Sequence, residues 1–266
     1  MRLLGAFFRR DFRIERSYRL AFATQLGGAA LTLLSSVFLS KLVPGHQPSL
    51  RRYGGDYFTF VLIGTGALSF FSVGLGGFSA TLSGEQSQGT LEALLVTPND
   101  PRALLAYGAG WPFAFSTVQL IIYLLVGVVA FGAHVPARSL ALASSVLLLS
   151  LVAFSAVGLL AAAVVIVTKR AGVLVTVTAA AFSLLGGVIY PVSVLPRPLQ
   201  WLAEALPMTH GLDGVRRALL PHPDLGAVGV DVAVLAAFTV VLLPAALITM
   251  GWCVDQARRS GSLAHY

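Results

Sequence analysis

Six long stretches without Asp, Glu, Lys or Arg constrain this sequence more than any other feature. They run from Leu20 to Ser40, Tyr57 to Gly84, Ala103 to Ala137, Ser139 to Thr168, Ala171 to Pro196 and Val232 to Val254. Placing Arg, Lys or Asp at the centre of a membrane helix costs about 2.5 to 3.5 kcal/mol, so windows that avoid charge mark segments able to cross a bilayer. Each window exceeds the roughly 20 residues that a helix needs to span the hydrocarbon core. The pattern predicts an all-α polytopic membrane protein with six transmembrane helices, at residues 20–43, 57–83, 102–133, 139–168, 171–192 and 228–254. A chain that is 56% hydrophobic and only 11% charged is far from the balance of a soluble domain. Trp111-Pro112 falls inside the long third window and reads as a bend or interfacial anchor.

The formal charge of +7 invites a nucleic-acid reading, but the basic residues cluster beside the spans and not on a soluble domain. Membrane topology accounts for them better, and no nucleic-acid partner is expected. Six arginines precede the first span, and the loops on the same side bring that side to eleven basic residues against seven. The positive-inside rule therefore puts both termini and the 84–101 loop in the cytosol. Cys253 is the single cysteine, which excludes an intrachain disulfide or a multi-cysteine metal site.

Residues 1–19 form a candidate amphipathic helix lying in the inner headgroup layer. Leu3, Leu4, Phe7, Phe8, Ile14 and Tyr18 fall on one arc, with Arg2, Arg9, Arg13 and Arg16 on the other. Asp11 and Glu15 fall among the apolar residues. They either pair locally, as Glu15 can with Arg19 at i,i+4, or meet a cytosolic partner. In the second window Gly64, Gly66, Gly74, Gly76 and Gly77 permit close approach of helices, and Gly186-Gly187 in the fifth invites the same reading. A lining for a substrate path is the alternative.

Two segments interrupt the apolar pattern. The first, GEQSQGTLEALLVTP from Gly84 to Pro98, is a polar island in which Glu85 and Glu92, seven residues apart, share one helix face. The residue before a proline is pushed out of helical conformation, so the run stops at Thr97-Pro98. Asn99-Asp100-Pro101 then restarts the chain with a capping side chain and a proline at the first helical position. The second segment, Pro191 to Pro223, carries six prolines. It is too broken to cross the membrane. Two short helices, about Pro198 to Leu206 and Thr209 to Leu220, separated at Pro207, suit a re-entrant hairpin at the outer surface over residues 197–221. Glu204, His210, Asp213, Arg216 and Arg217 then line an exit or binding surface, or are solvated faces of interfacial helices.

The sequence has no GxxxxGK[ST] run to cradle phosphates, no HExxH and no CxxC. The five histidines are scattered, and the spans contain no central Asp, Glu, Lys or Arg to mark an ion-coupled pathway. Uphill transport by such a chain requires energy from another subunit. An ion-coupled carrier, and a membrane enzyme acting on lipid through His210, Asp213 or Glu204, are the competing classes.

Three blocks, GGDYFTFVLIG at 54–64, EQSQGTLEALLVTP at 85–98 and GGVIYPVSVLPRPLQWLAEALPMTHGLDGVRRALL at 186–220, resemble the membrane subunits of type 2 ABC exporters. The resemblance implies a permease of an ATP-driven exporter that performs no chemistry of its own. Residues 84–97 would be a coupling helix seated on a separate ABC ATPase, with Glu85, Gln86, Gly89, Thr90, Leu91, Glu92, Thr97 and Pro98 making the contact. Arg9, Asp11, Arg13 and Glu15 of the N-terminal helix would support the same interface. Pro191, Pro196, Glu204, Pro207, His210, Asp213 and Arg216 would belong to the outer re-entrant exit region. The resemblance further implies a homodimer, or pairing with a paralogous permease, in a bacterial inner (plasma) membrane in contact with membrane lipid. It implies no cofactor or metal in this chain, since ATP and Mg²⁺ would be bound by the ATPase. The cargo is expected to be a hydrophobic small molecule or lipid, with a polysaccharide or lipid-linked glycan as the alternative.

Overall fold

The computed structural model of the chain describes residues 5, 8–13, 19–42, 48–87, 108, 110–132, 136–168 and 171–259. Helices α1 (Arg19–Leu42), α2 (Tyr57–Ser87), α3 (Gly110–Phe131), α4 (Leu140–Thr168) and α5 (Ala171–Leu185) come first in the chain. Two short helices follow, α6 (Arg197–Glu204) and α7 (Pro207–Ala218), and then the long α8 (Leu225–Arg259). Short 3₁₀ segments at Pro48–Tyr53, Ala137–Ser139 and Val192–Val194 join them, and the described residues contain no strand.

Four helical segments are long and apolar enough to cross a membrane: Tyr57–Thr81, Gly110–Val129, Leu140–Ala163 and Leu225–Cys253. They coincide with the second, third, fourth and sixth charge-free windows. The first and fifth windows are represented by shorter apolar runs, Ala30–Leu42 in α1 and Thr176–Leu185 in α5. The sequence places the end of the second span at 83; the helix continues without a break through Glu85 and Gln86 to Ser87.

Helix α4 is the centre of the bundle, packed most extensively on α8 and then on α2, with α7 also against it. The approach of α2 to α4 depends on glycine. A Cβ on Gly158 would lie 2.1 Å from the Gly74 carbonyl oxygen and 2.7 Å from that of Leu75, distances that only a hydrogen can occupy. Where lipid tails are as apolar as the side chains, such backbone proximity is the source of packing energy. Around this crossing Phe71 stacks on Phe154 with ring centroids 4.5 Å apart, and Phe182 of α5 meets Phe154 edge-on.

Hydroxyl groups within the helices mostly return to the backbone. Thr65 donates to the Val61 carbonyl, Ser150 to that of Val146 and Thr239 to that of Leu235, which keeps polar groups satisfied where water is absent. At one end of the bundle Cys253 is buried with Ala246, Met250 and Ala163. At the other end α7 is wedged among α2, α4 and α8, and the polar residues gather there.

Candidate functional site

The short helices arise from local punctuation. Pro196 stands in extended conformation as the N-cap of α6, and Pro191 does the same for the preceding 3₁₀ turn. The sequence reading puts the break at Pro207 and starts the second helix at Thr209. Instead the chain turns at Ala205-Leu206, and Pro207 is the first residue of α7. Proline is favoured there because its missing N–H would have had no partner in the helix and its φ is already helical.

Helices this short leave carbonyls unpaired at their C-termini. Side chains of the first turn of α7 answer those of α6. Thr209 donates its hydroxyl to the Ala203 carbonyl at 2.5 Å, and His210 approaches the Glu204 carbonyl through Nε2 at 2.9 Å. On the outward side of α6 the indole of Trp201 is 71% exposed, with Leu202 beside it also exposed.

Arg216 is the anchor of the site. It is 2% exposed, and its guanidinium donates to three backbone carbonyls on two other segments. Nη1 reaches the Gly187 oxygen at 2.7 Å, Nη2 the Val188 oxygen at 2.7 Å, and Nη2 and Nε share the Phe60 oxygen at 3.1 and 3.3 Å. The ring of Phe60 lies 3.5 Å below the guanidinium carbon. The carbonyls of 187 and 188 are available because α5 has just ended and Gly187 takes φ +72°, a left-handed turn natural to glycine. Burial nonetheless pulls the Arg216 pKa down to about 10, against the opposing pull of Asp213 and Tyr53.

A second set of contacts ties α7 to α8. Asp231 of α8 is 3% exposed and accepts from Arg217 Nη1 at 2.8 Å, while its other oxygen faces His210 Nδ1 at 3.3 Å. Arg217 also lies 3.5 Å from Asp213, one helical turn earlier. Tyr53 closes the network from the 3₁₀ turn by donating to Asp213 at 2.7 Å. Burial raises the Asp213 pKa, opposed by the neighbouring Arg216, the Tyr53 hydrogen bond and Arg217. Burial and the adjacent Asp213 carboxylate push the Tyr53 hydroxyl upward as well, so it stays the donor.

His210 faces two groups that can only accept, the Asp231 carboxylate and the Glu204 carbonyl. A neutral imidazole offers one N–H, so both contacts are satisfied only by the protonated ring. Its pKa is accordingly raised, first by the Asp231 hydrogen bond, against the opposing effect of burial.

His210, Asp213 and Arg216 are thus members of one buried network and not solvated faces of a surface helix, while the side chain of Glu204 is exposed and contributes through its carbonyl. Sequence reasoning missed Tyr53, Phe60 and Asp231. Asp231 stands one residue before the sixth charge-free window, and a lone carboxylate at the edge of such a window signals a partner. Both of its cationic partners lie on α7, so it serves as a clamp between helices.

The remaining candidates lie elsewhere. Glu85 and Gln86 sit in the last turn of α2, while Gly89, Thr90, Leu91, Glu92, Thr97 and Pro98 fall outside the described residues, as does Glu15. Near the N-terminus Arg9 and Arg13 are exposed, and Asp11 pairs with Arg10 at 2.9 Å. Phe8 and Phe12 set their edges against Trp111 at 5.1 and 5.4 Å, fastening this turn to the beginning of α3. Among the described residues no group of acidic, histidine or cysteine side chains is arranged to hold a metal ion.

Long apolar helices around a buried polar clasp define a multi-pass, all-helical membrane protein. The chain belongs to the ABC-2 type transporter family, whose model matches residues 2–220. It is a membrane permease component of that family, and the match takes in α1 through α7. No curated protein matches the chain.

Proposed function

We propose that this chain is the permease subunit of an ATP-driven exporter, working with a separate ABC ATPase that binds ATP and Mg²⁺. The family match across residues 2–220 carries this reading. In it, α1, α2, α3, α4, α5 and α8 are six spans with both termini in the cytosol of a bacterium, and α6–α7 is a hairpin entering from the outer face. Two permease copies, or this chain and a paralogue, enclose the path. The segment that follows Gly84 sits on the ATPase as a coupling helix, with Glu85 and Glu92 on the contacting face. Support comes from the polar island in the sequence and from the continuity of α2 through Ser87, which gives a rigid lever from the island to the buried clasp.

The cargo is a hydrophobic small molecule or a lipid. The test is co-purification of the chain with its ATPase and reconstitution of the pair in vesicles. ATP-dependent movement of a hydrophobic dye or labelled lipid is the expected result, and movement of an oligosaccharide alone would assign a glycan cargo instead. Glu85→Ala with Glu92→Ala should uncouple hydrolysis from transport. If assembly, hydrolysis and transport all survive that double change, the coupling role of these glutamates is lost.

A further inference from the structure

A cleft of about 720 Å³ opens beside the clasp, lined by the end of α1, the start of α2, the end of α3 and the turn after α7. The size falls within the range of ligand pockets, roughly 300–1,000 Å³. Val37, Phe58, Ile63, Phe131 and Leu219 make its walls largely apolar. Phe58 and Phe131 meet at 5.6 Å between ring centroids.

The polar groups of the lining are nearly all committed to the protein. Ser40 donates to the Val37 carbonyl at 2.7 Å, and Tyr53 to Asp213. Asp56 accepts from the backbone N–H groups of Phe58 and Thr59 and from the Thr59 hydroxyl, capping α2. Arg216 is engaged with its three carbonyls. Lys41 is the exception. Its ammonium has three donors, no described carboxylate within salt-bridge distance, and only the face of Phe38 at 5.9 Å.

An apolar cleft with one uncommitted ammonium at a helix end suits an occupant that supplies both an anionic acceptor and hydrocarbon. A lysine close to a membrane surface attracts the headgroups of anionic lipids electrostatically. We propose that this cleft is a binding site for an anionic phospholipid, whose phosphate meets Lys41 and whose first acyl segment lies against Val37, Phe58 and Phe131. The site is independent of the cargo and of the ATPase reading.

The test uses the full chain in lipid nanodiscs doped with photoactivatable phosphatidylglycerol or with phosphatidylcholine carrying the same acyl chains. Crosslinks are mapped by mass spectrometry. Phosphatidylglycerol should label peptides containing residues 37–41 or 58–63 about fivefold more than phosphatidylcholine, the preference one lysine confers near a membrane surface. Lys41→Gln should reduce that labelling to the phosphatidylcholine level, and Lys41→Arg should retain it. Lys41 is exposed, so neither change disturbs the core. Equal labelling by the two lipids, or labelling that Lys41→Gln leaves intact, overturns the proposal. Displacement of the lipid by inorganic phosphate alone also overturns it, because the site would then hold a free anion.

Discussion

Arg217 of α7 donates to Asp231 of α8 at 2.8 Å, joining the short broken helix to the long final one through a pair of charges removed from water. The carboxylate is the more buried of the two partners, so its loss and the loss of the arginine are not equivalent. Stranding a buried charge altogether costs about 3 to 5 kcal/mol. Arg217→Gln leaves Asp231 with His210 as its remaining cationic partner, so it should destabilise the protein by less than that. Asp231→Asn combined with Arg217→Gln should cost less than the sum of the two single changes, by about 0.5 to 3 kcal/mol. Reversible unfolding in mixed detergent micelles gives the four free energies, and strict additivity would show that the pair is not coupled.

Arg216 should be the least replaceable side chain in the clasp. Truncation to alanine leaves the carbonyls of Gly187 and Val188 without their donor in a buried site, at about 1 to 3 kcal/mol each, and takes from the Phe60 carbonyl the donor it holds beyond its own helix. Arg216→Lys should rescue little, since a single ammonium cannot reproduce a planar fork that addresses three acceptors and covers an aromatic ring. Melting temperature in detergent reads the effect; a lysine variant as stable as the parent would show that charge alone suffices.

Stability should depend on pH through His210. Its folded-state pKa lies above the ordinary value of 6.5, raised first by its hydrogen bond to Asp231. A group raised on folding contributes stability that is complete below the unfolded value and disappears as pH climbs through the folded one. The protein should therefore lose stability on the alkaline side of 6.5, and His210→Gln should flatten that part of the profile. Unfolding midpoints measured between about pH 5 and 9, which bracket histidine titration, test this. Identical profiles for parent and variant would exclude His210 as the source.

Two glycines offer a contrast. Gly158→Ala should separate α2 from α4, because the new methyl carbon meets backbone oxygen at 2.1 Å and helix backbone cannot rotate away as a side chain can. Gly229→Ala in α8 meets nothing within 4 Å and should leave stability unchanged or slightly improved. Disulfide trapping between cysteines placed across the α2–α4 contact reports the first, and thermal melting the second. Equal effects from both substitutions would count against glycine-dependent packing.

Much of the architecture was legible in the residues taken in order. Charge is expensive in hydrocarbon, so the absence of Asp, Glu, Lys and Arg over a helix length located α2, α3, α4 and α8. Proline has one favourable place in a helix, so the Pro191–Pro223 run announced short helices, with an error at Pro207 from reading that residue as a separator when it begins α7. These are properties of a residue and its near neighbours, and sequence records them directly.

The tertiary structure decided what the charges on α7 do. Arg216 meets Phe60 across 156 positions of sequence, and Tyr53 meets Asp213 across 160. Helical periodicity places such residues on a face but cannot name the element opposite. Whether a polar helix face meets water or a buried carboxylate depends on how α4 and α8 converge behind it, and on the end of α5 presenting two free carbonyls at that depth. The amino-acid order by itself determined a membrane chain of apolar helices with a broken amphipathic insertion. Packing turned that insertion into a charged clasp, because burial allows a cation only where partners from several distant segments arrive together.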